Sequence, residues 1–180
     1  MTLETTILEG VFIINNFNAS DERGLFVKTF NKETFENNNI PFSIRESYFS
    51  LSKKNVIRGM HFQMPPHDHE KLVYVPIGAI LDVVLDLRKE SETYMKHFSV
   101  ELTDNNYKSI FIPKGCAHGF KALEDNTITV YNVATEYNAN ADMGIKYDSF
   151  GYNWQLEAPI LSNRDIDFLT FKEYMINNPF

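Results

Sequence analysis

An all-β sandwich or barrel is the fold class that this sequence predicts, and two observations predict it. The chain is cut into many short apolar, aromatic and β-branched runs, and the cuts are clusters of Asn, Asp, Gly and Pro. Helical periodicity is confined to two short stretches. With 180 residues, 43% of them hydrophobic, 15 Phe and 9 Tyr, there is material for a packed core. No repeat, low-complexity segment or linker divides it, so one domain over residues 1–180 follows.

Val11 to Phe17 reads as a strand that ends in Asn18-Ala19-Ser20-Asp21. Asp21-Glu22-Arg23-Gly24 is a turn, and Leu25 to Phe30 alternates as the next strand. Thr34 to Asn38 fits one or two helical turns, starting near Asn31 or Lys32 and stopped by Asn39, Ile40 and Pro41. Further strands are read at Ile44 to Leu51, Val56 to Gln63, Lys71 to Ile77, Ile80 to Leu87, Lys96 to Leu102, Ser109 to Ile112, Gly119 to Leu123 and Thr127 to Ala134. A second helical pattern lies around Phe168 to Ile176.

Alternate side chains of a strand point to opposite faces. Ile80, Asp82, Val84, Asp86 and Arg88 therefore share one side, and Leu81, Val83, Leu85 and Leu87 the other. The charged side reads as a solvated face. If it lined a barrel interior instead, its charges would need partners.

The formal charge of -7 gives no basic footprint for nucleic acid, and Ser52-Lys53-Lys54-Asn55 is too short a run to make one. No apolar run approaches the roughly 20 residues that a membrane helix needs. Cys116 is alone, and Met-Thr-Leu-Glu-Thr has neither the basic nor the apolar region of a signal peptide. A cytoplasmic protein without nucleic-acid or membrane partners is expected.

Val56 to Val75 concentrates the chemistry, with three of the five histidines beside Arg58, Lys71 and a Pro-Pro turn. His67-Asp68-His69-Glu70 with the later His118 is similar to the ligand set of metal-binding cupins. The spacing argues against that reading, because Glu70 is adjacent to His69 and would face the opposite way in a strand. Pro65 and Pro66 place His67 in a turn, as an exposed histidine. His61 lies in an apolar run, as a structural residue or as a general base with a near-neutral pKa.

Arg58-Gly59-Met60-His61-Phe62-Gln63, Lys71-Leu72-Val73, Asp82 to Ser91, Ile112 to Phe120 and Leu161-Ser162-Asn163-Arg164-Asp165 stand in the order of one known pattern. Together they resemble the dTDP-4-dehydrorhamnose 3,5-epimerase family, from Asp21-Glu22-Arg23-Gly24 to Asp165. The resemblance implies a cupin-type jelly-roll barrel with short peripheral helices, usually a homodimer, working without metal or redox cofactor. It implies an isomerase that inverts C3, C5 or both in a nucleotide-diphosphate-linked 4-keto-6-deoxy sugar. His61 matches the base, Asp165 the carboxylate that orients it, Tyr131 the acid on the other face, and Lys71 the cation beside the ketone. Arg23, Arg58 and His118 match positions near the diphosphate, and Phe26 and Tyr137 the packing around base and sugar.

Three departures stand out. Lys28 replaces an acidic residue near the nucleotide base, Glu46-Ser47-Tyr48 replaces Gln-x-Asn, and Asp68-His69-Glu70 replaces the Gln before Lys-Leu-Val. They leave the proton-transfer set intact and change the shell around it. A GDP-linked 4-keto hexose or heptose, or inversion at C3 only, is therefore part of the expectation. His67 and His69 are read as turn residues outside that set, at most shaping the substrate. The competing class is a metal-dependent or non-catalytic sugar-binding cupin.

Overall fold

Turn residues and strand runs assemble as two facing sheets and a separate hairpin, in a computed structural model that describes residues 1–180. The strands are β1 (Thr2–Thr5), β2 (Phe12–Asn15), β3 (Phe17–Asp21), β4 (Gly24–Lys28), β5 (Glu46–Ser52), β6 (Ile57–Gln63), β7 (Lys71–Ile77), β8 (Ala79–Asp86), β9 (His97–Thr103), β10 (Lys108–Ile112), β11 (Cys116–Ala122), β12 (Thr127–Val133) and β13 (Asp142–Gly144). Three short helices join them: α1 (Lys32–Asn37), α2 (Asn163–Ile166) and α3 (Phe171–Tyr174). One sheet runs β1-β2-β10-β7-β12-β5 and the other β13-β6-β11-β8-β9, while β3 and β4 pair only with each other. All strand pairings are antiparallel, and this is the jelly roll of the cupin type.

Strict alternation builds three apolar layers. Ile13, Val73, Ile80, Val84, Ile110 and Phe120 point between the sheets. Their strand neighbours point outward and are covered. Ile14, Leu72 and Phe111 pack under Phe35, Ile40 and Phe42 of the α1 segment. Val83, Leu85 and Leu87 pack under Phe150, Trp154 and Tyr174 of the C-terminal segment. The α1 helix forms where expected because the Asn31 side chain accepts from Thr34 N–H at 2.9 Å, and Asn39, at φ 58°, ends it. It brings Phe35 to complete burial, which stabilises the fold by about 1.5–3 kcal/mol.

The sheet on which both faces are covered overturns one expectation. The charged side of Ile80 to Arg88 is the interior side: Asp82 and Asp86 are both fully buried. Each has polar partners, as a buried carboxylate requires. Asp82 meets His118 at 2.7 Å, while Asp86 accepts from Arg88, Ser91 and Thr93.

Other differences are local. The strand read over Val11 to Phe17 breaks at Asn16, whose N–H goes to Tyr107 C=O at 3.3 Å, and Phe17 starts the hairpin. The β11 strand begins at Cys116, three residues before the expected Gly119. The helix read over Phe168 to Ile176 starts only at Phe171, capped reciprocally by Thr170 and Glu173, and turns 3-10 at Met175–Asn177. Strands β1 and β13 and helix α2 are too short to show a period in sequence. No helix is long and apolar enough to cross a membrane.

Candidate active site

Between the sheets, beyond the apolar filling, lies a cavity of about 400 Å³, a size suited to a small-molecule ligand. Its walls come from β5, β6, β7, β11 and β12, with Asp142 of β13 and Arg164 of α2 at its edge. Of the residues singled out from sequence, His61, Tyr131, Lys71, Glu46, Tyr48, Arg58, His118 and Tyr137 line it.

Arg58 and His61 are three apart and would face opposite ways in a regular strand. Both face the cavity because β6 carries an extra residue against β11: His61 pairs with His118, yet Arg58 pairs with Phe120. Gly59 makes this possible at φ 141°, since a Cβ there would sit 2.4 Å from Gly119 Cα.

Nε2 of His61 is 2.7 Å from Asp165 Oδ1. Sequence separates the two by 104 residues. Helix α2 closes the gap: the Ser162 hydroxyl accepts from Asp165 N–H at 3.1 Å and fixes the carboxylate behind the ring. His61 keeps 30% of its side-chain surface accessible and Asp165 only 4%, so the imidazole can meet a ligand and the carboxylate cannot. Burial pulls the His61 pKa below its ordinary 6.5, against the opposing pull of Asp165. The ring is therefore neutral, and available as a base, at neutral pH.

Tyr131 stands on β12, in the facing sheet. It stacks on Tyr48 with centroids 5.0 Å apart, and its hydroxyl lies 3.3 Å from Ser50 Oγ. Burial raises its pKa well above the ordinary value, so it holds its proton. Lys71 reaches across from β7, and its Nζ donates to His61 C=O at 3.1 Å. Burial brings its pKa down to about 8, with Asp142 and Asp82 pulling the other way. The ammonium is thus charged at neutral pH and close to losing its proton above it.

Around this set, Arg58 donates to Ser52 Oγ at 3.1 Å and Leu51 C=O at 3.3 Å. His118 is held by Asp82, and Glu46 Oε1 accepts from Tyr137 N–H at 3.1 Å. Arg23, Phe26 and Lys28 are different: all three sit on the exposed β3-β4 hairpin and none lines this cavity. The Arg23 guanidinium pairs with Asp21 at 2.6 Å.

His69, read from sequence as a turn residue at most shaping the substrate, also lines the cavity, as do Gln63 and Arg164, which stood in the motifs without a role, and Asp142, which sequence reasoning passed over. Arg164 was signalled by its place next to Asp165, whereas Asp142 sits on a three-residue strand with no sequence signature. His67, expected exposed, is half-buried, with Asn138 Nδ2 donating to its Nε2 at 3.1 Å. No three His, Cys, Asp or Glu side chains come together as a metal-ligand set.

Comparison with known proteins gives one consistent answer. The family model described as dTDP-4-dehydrorhamnose 3,5-epimerase matches residues 5–173. A dTDP-4-dehydrorhamnose 3,5-epimerase of Methanothermobacter thermautotrophicus is 39% identical over 173 residues, covering 93% of each chain. Among solved structures, an epimerase of Mycobacterium tuberculosis superposes with a TM-score of 0.94 at 31% identity, covering 98% of this chain and 91% of that one. A Bacillus anthracis dTDP-4-dehydrorhamnose 3,5-epimerase with TDP and pyrophosphate bound gives 0.91 at 32% identity, covering 94% and 99%.

Proposed function

Since the chain belongs to the dTDP-4-dehydrorhamnose 3,5-epimerase family, and so is an epimerase of sugar nucleotides, we propose that it inverts the carbons flanking the ketone of a dTDP-linked 4-keto-6-deoxy sugar. One observation carries the reading: a neutral histidine on one sheet and a protonated tyrosine on the other line one cavity, with a lysine cation bonded to the histidine's backbone carbonyl. A ketone acidifies its neighbouring carbons because the carbanion delocalises into an enolate. His61 removes the proton on one side, Lys71 stabilises the enolate oxygen, and Tyr131 returns a proton from the other side. Atoms balance, with His61 left protonated and Tyr131 deprotonated until solvent resets them. The expected absence of a cofactor belongs to the same proposal, because each step uses only groups of this chain.

Thymidine is favoured over the GDP-linked hexose or heptose by the TDP bound in the Bacillus anthracis relative and by similarity along nearly the whole chain. Arg58 and His118 are assigned to the diphosphate, with Glu46, Tyr48 and Tyr137 around it. Arg23, Phe26 and Lys28 lie outside the cavity, so their part in nucleotide binding requires a second copy whose hairpin reaches this site. A homodimer, in the cytoplasm, is therefore part of the proposal, and a monomeric mass in sedimentation at working concentration would remove it.

Incubation with dTDP-4-keto-6-deoxyglucose in deuterated water is expected to place solvent deuterium at C3, or at C3 and C5, read by NMR. The same spectrum counts the inverted centres. Absence of deuterium from dTDP-, GDP- and CDP-linked 4-keto sugars alike would overturn the epimerase chemistry.

The two pKa directions set the pH response. His61 must be neutral, so the acid limb of kcat/KM is expected below the ordinary 6.5. Lys71 must be charged, so activity falls as pH rises through about 8. A profile still flat at the ordinary lysine value of 10.5 would exclude a need for the Lys71 cation.

A further inference from the structure

We propose that His69 is a sugar-binding residue of this site, donating its Nε2–H to a hydroxyl oxygen of the hexose and so setting which sugars are accepted. The inference rests on the epimerase reading and adds to it a residue outside the proton-transfer set.

The His69 ring is oriented by the hydrogen bonds of Gln63. Its Oε1 accepts from Asn138 N–H at 2.6 Å, and its Nε2 donates to His67 C=O at 2.9 Å. These two contacts fix which end of the amide is nitrogen. That nitrogen also lies 3.1 Å from His69 Nδ1. An amide nitrogen only donates, so a bond between the two makes Nδ1 the acceptor and places the ring proton on Nε2. Thr135 Oγ1, 2.9 Å from the same Nδ1, holds that edge of the ring from the other side.

The Nε2 edge has no partner within the chain, yet it is not among the sealed polar atoms. Since His69 lines the cavity, this N–H is offered to what binds there. His69 lies in the loop that enters β7, two residues before Lys71, and both line the cavity. The Lys71 charge is felt at the His69 ring, so the two share one part of the cavity. Burial, with the charges of Lys71 and Lys114, holds the His69 pKa down to about 3, so the ring stays neutral and keeps one donor through the working pH range. This half-buried imidazole belongs to Asp68-His69-Glu70, the stretch that stands where the related pattern carries Gln, whose amide also offers an N–H.

Calorimetric titration of wild type, His69→Leu and His69→Gln with dTDP and with a stable dTDP-6-deoxyhexose tests the idea. His69→Leu is expected to bind dTDP like wild type but to lose about two- to tenfold in affinity for the dTDP-sugar, the worth of one net hydrogen bond. His69→Gln is expected to recover most of that loss. Equal affinity of His69→Leu and wild type for the dTDP-sugar overturns the proposal, as does an equal weakening towards dTDP alone, which marks a residue that only holds the loop. GDP and CDP pairs are titrated in parallel. If wild type binds one of these and no dTDP compound, the thymidine reading fails and the His69 comparison is read on the nucleotide that binds. If it binds none, both fall.

Discussion

His61→Asn is expected to lower kcat by about 10²- to 10⁴-fold and to suppress solvent deuterium uptake to the same degree. Asn is the stringent choice. Its amide keeps a donor for Asp165 and a side chain of similar reach, so the partly buried wall is disturbed little while the imidazole backed by Asp165 is removed. Substrate binding depends on other walls, so KM should move far less than kcat. Deuterium exchange separates this outcome from a misfolded variant, since a folded protein that binds dTDP but exchanges nothing has lost the base alone. Full exchange in His61→Asn would show that another group takes the proton, and the role given to Asp165 would fall with it.

Removing the acid gives a different signature. Tyr131→Phe keeps the ring that stacks on Tyr48 and packs against Phe120, and loses only the hydroxyl beside Ser50. Proton removal by His61 should survive, so deuterium is expected in recovered, uninverted substrate, while net inversion falls by about 10²-fold or more. The ratio of exchange to inversion is the decisive quantity. A change in fold or binding lowers both together, whereas loss of the opposite-face acid raises the ratio. An unchanged ratio would mean that the returned proton comes from elsewhere.

These two effects are separable only because base and acid stand on different sheets. That arrangement was not in the sequence as such. The runs containing His61 and Tyr131 were legible as strands, but a strand's period gives two faces without saying which is inside. The β8 strand shows the cost: Asp82 and Asp86 read as a solvated face and are buried, because the C-terminal segment covers the opposite side with Trp154 and Tyr174. At β6 even the period misleads, since the extra residue at Gly59 turns both Arg58 and His61 inward.

What the sequence determined by itself was the fold class, the strand runs and the ordered motifs from Arg58 to Asp165, because turn residues and alternation act over a few neighbours at a time. The tertiary structure alone decided that Asp165 stands behind His61, that Asp82 holds His118 and that His69 opens onto the cavity. It also decided that Arg23, Phe26 and Lys28 lie outside that cavity. Each of those outcomes depends on how two sheets and their covering segments pack, and contacts between residues 36 to 104 apart are set by that packing rather than by any local preference.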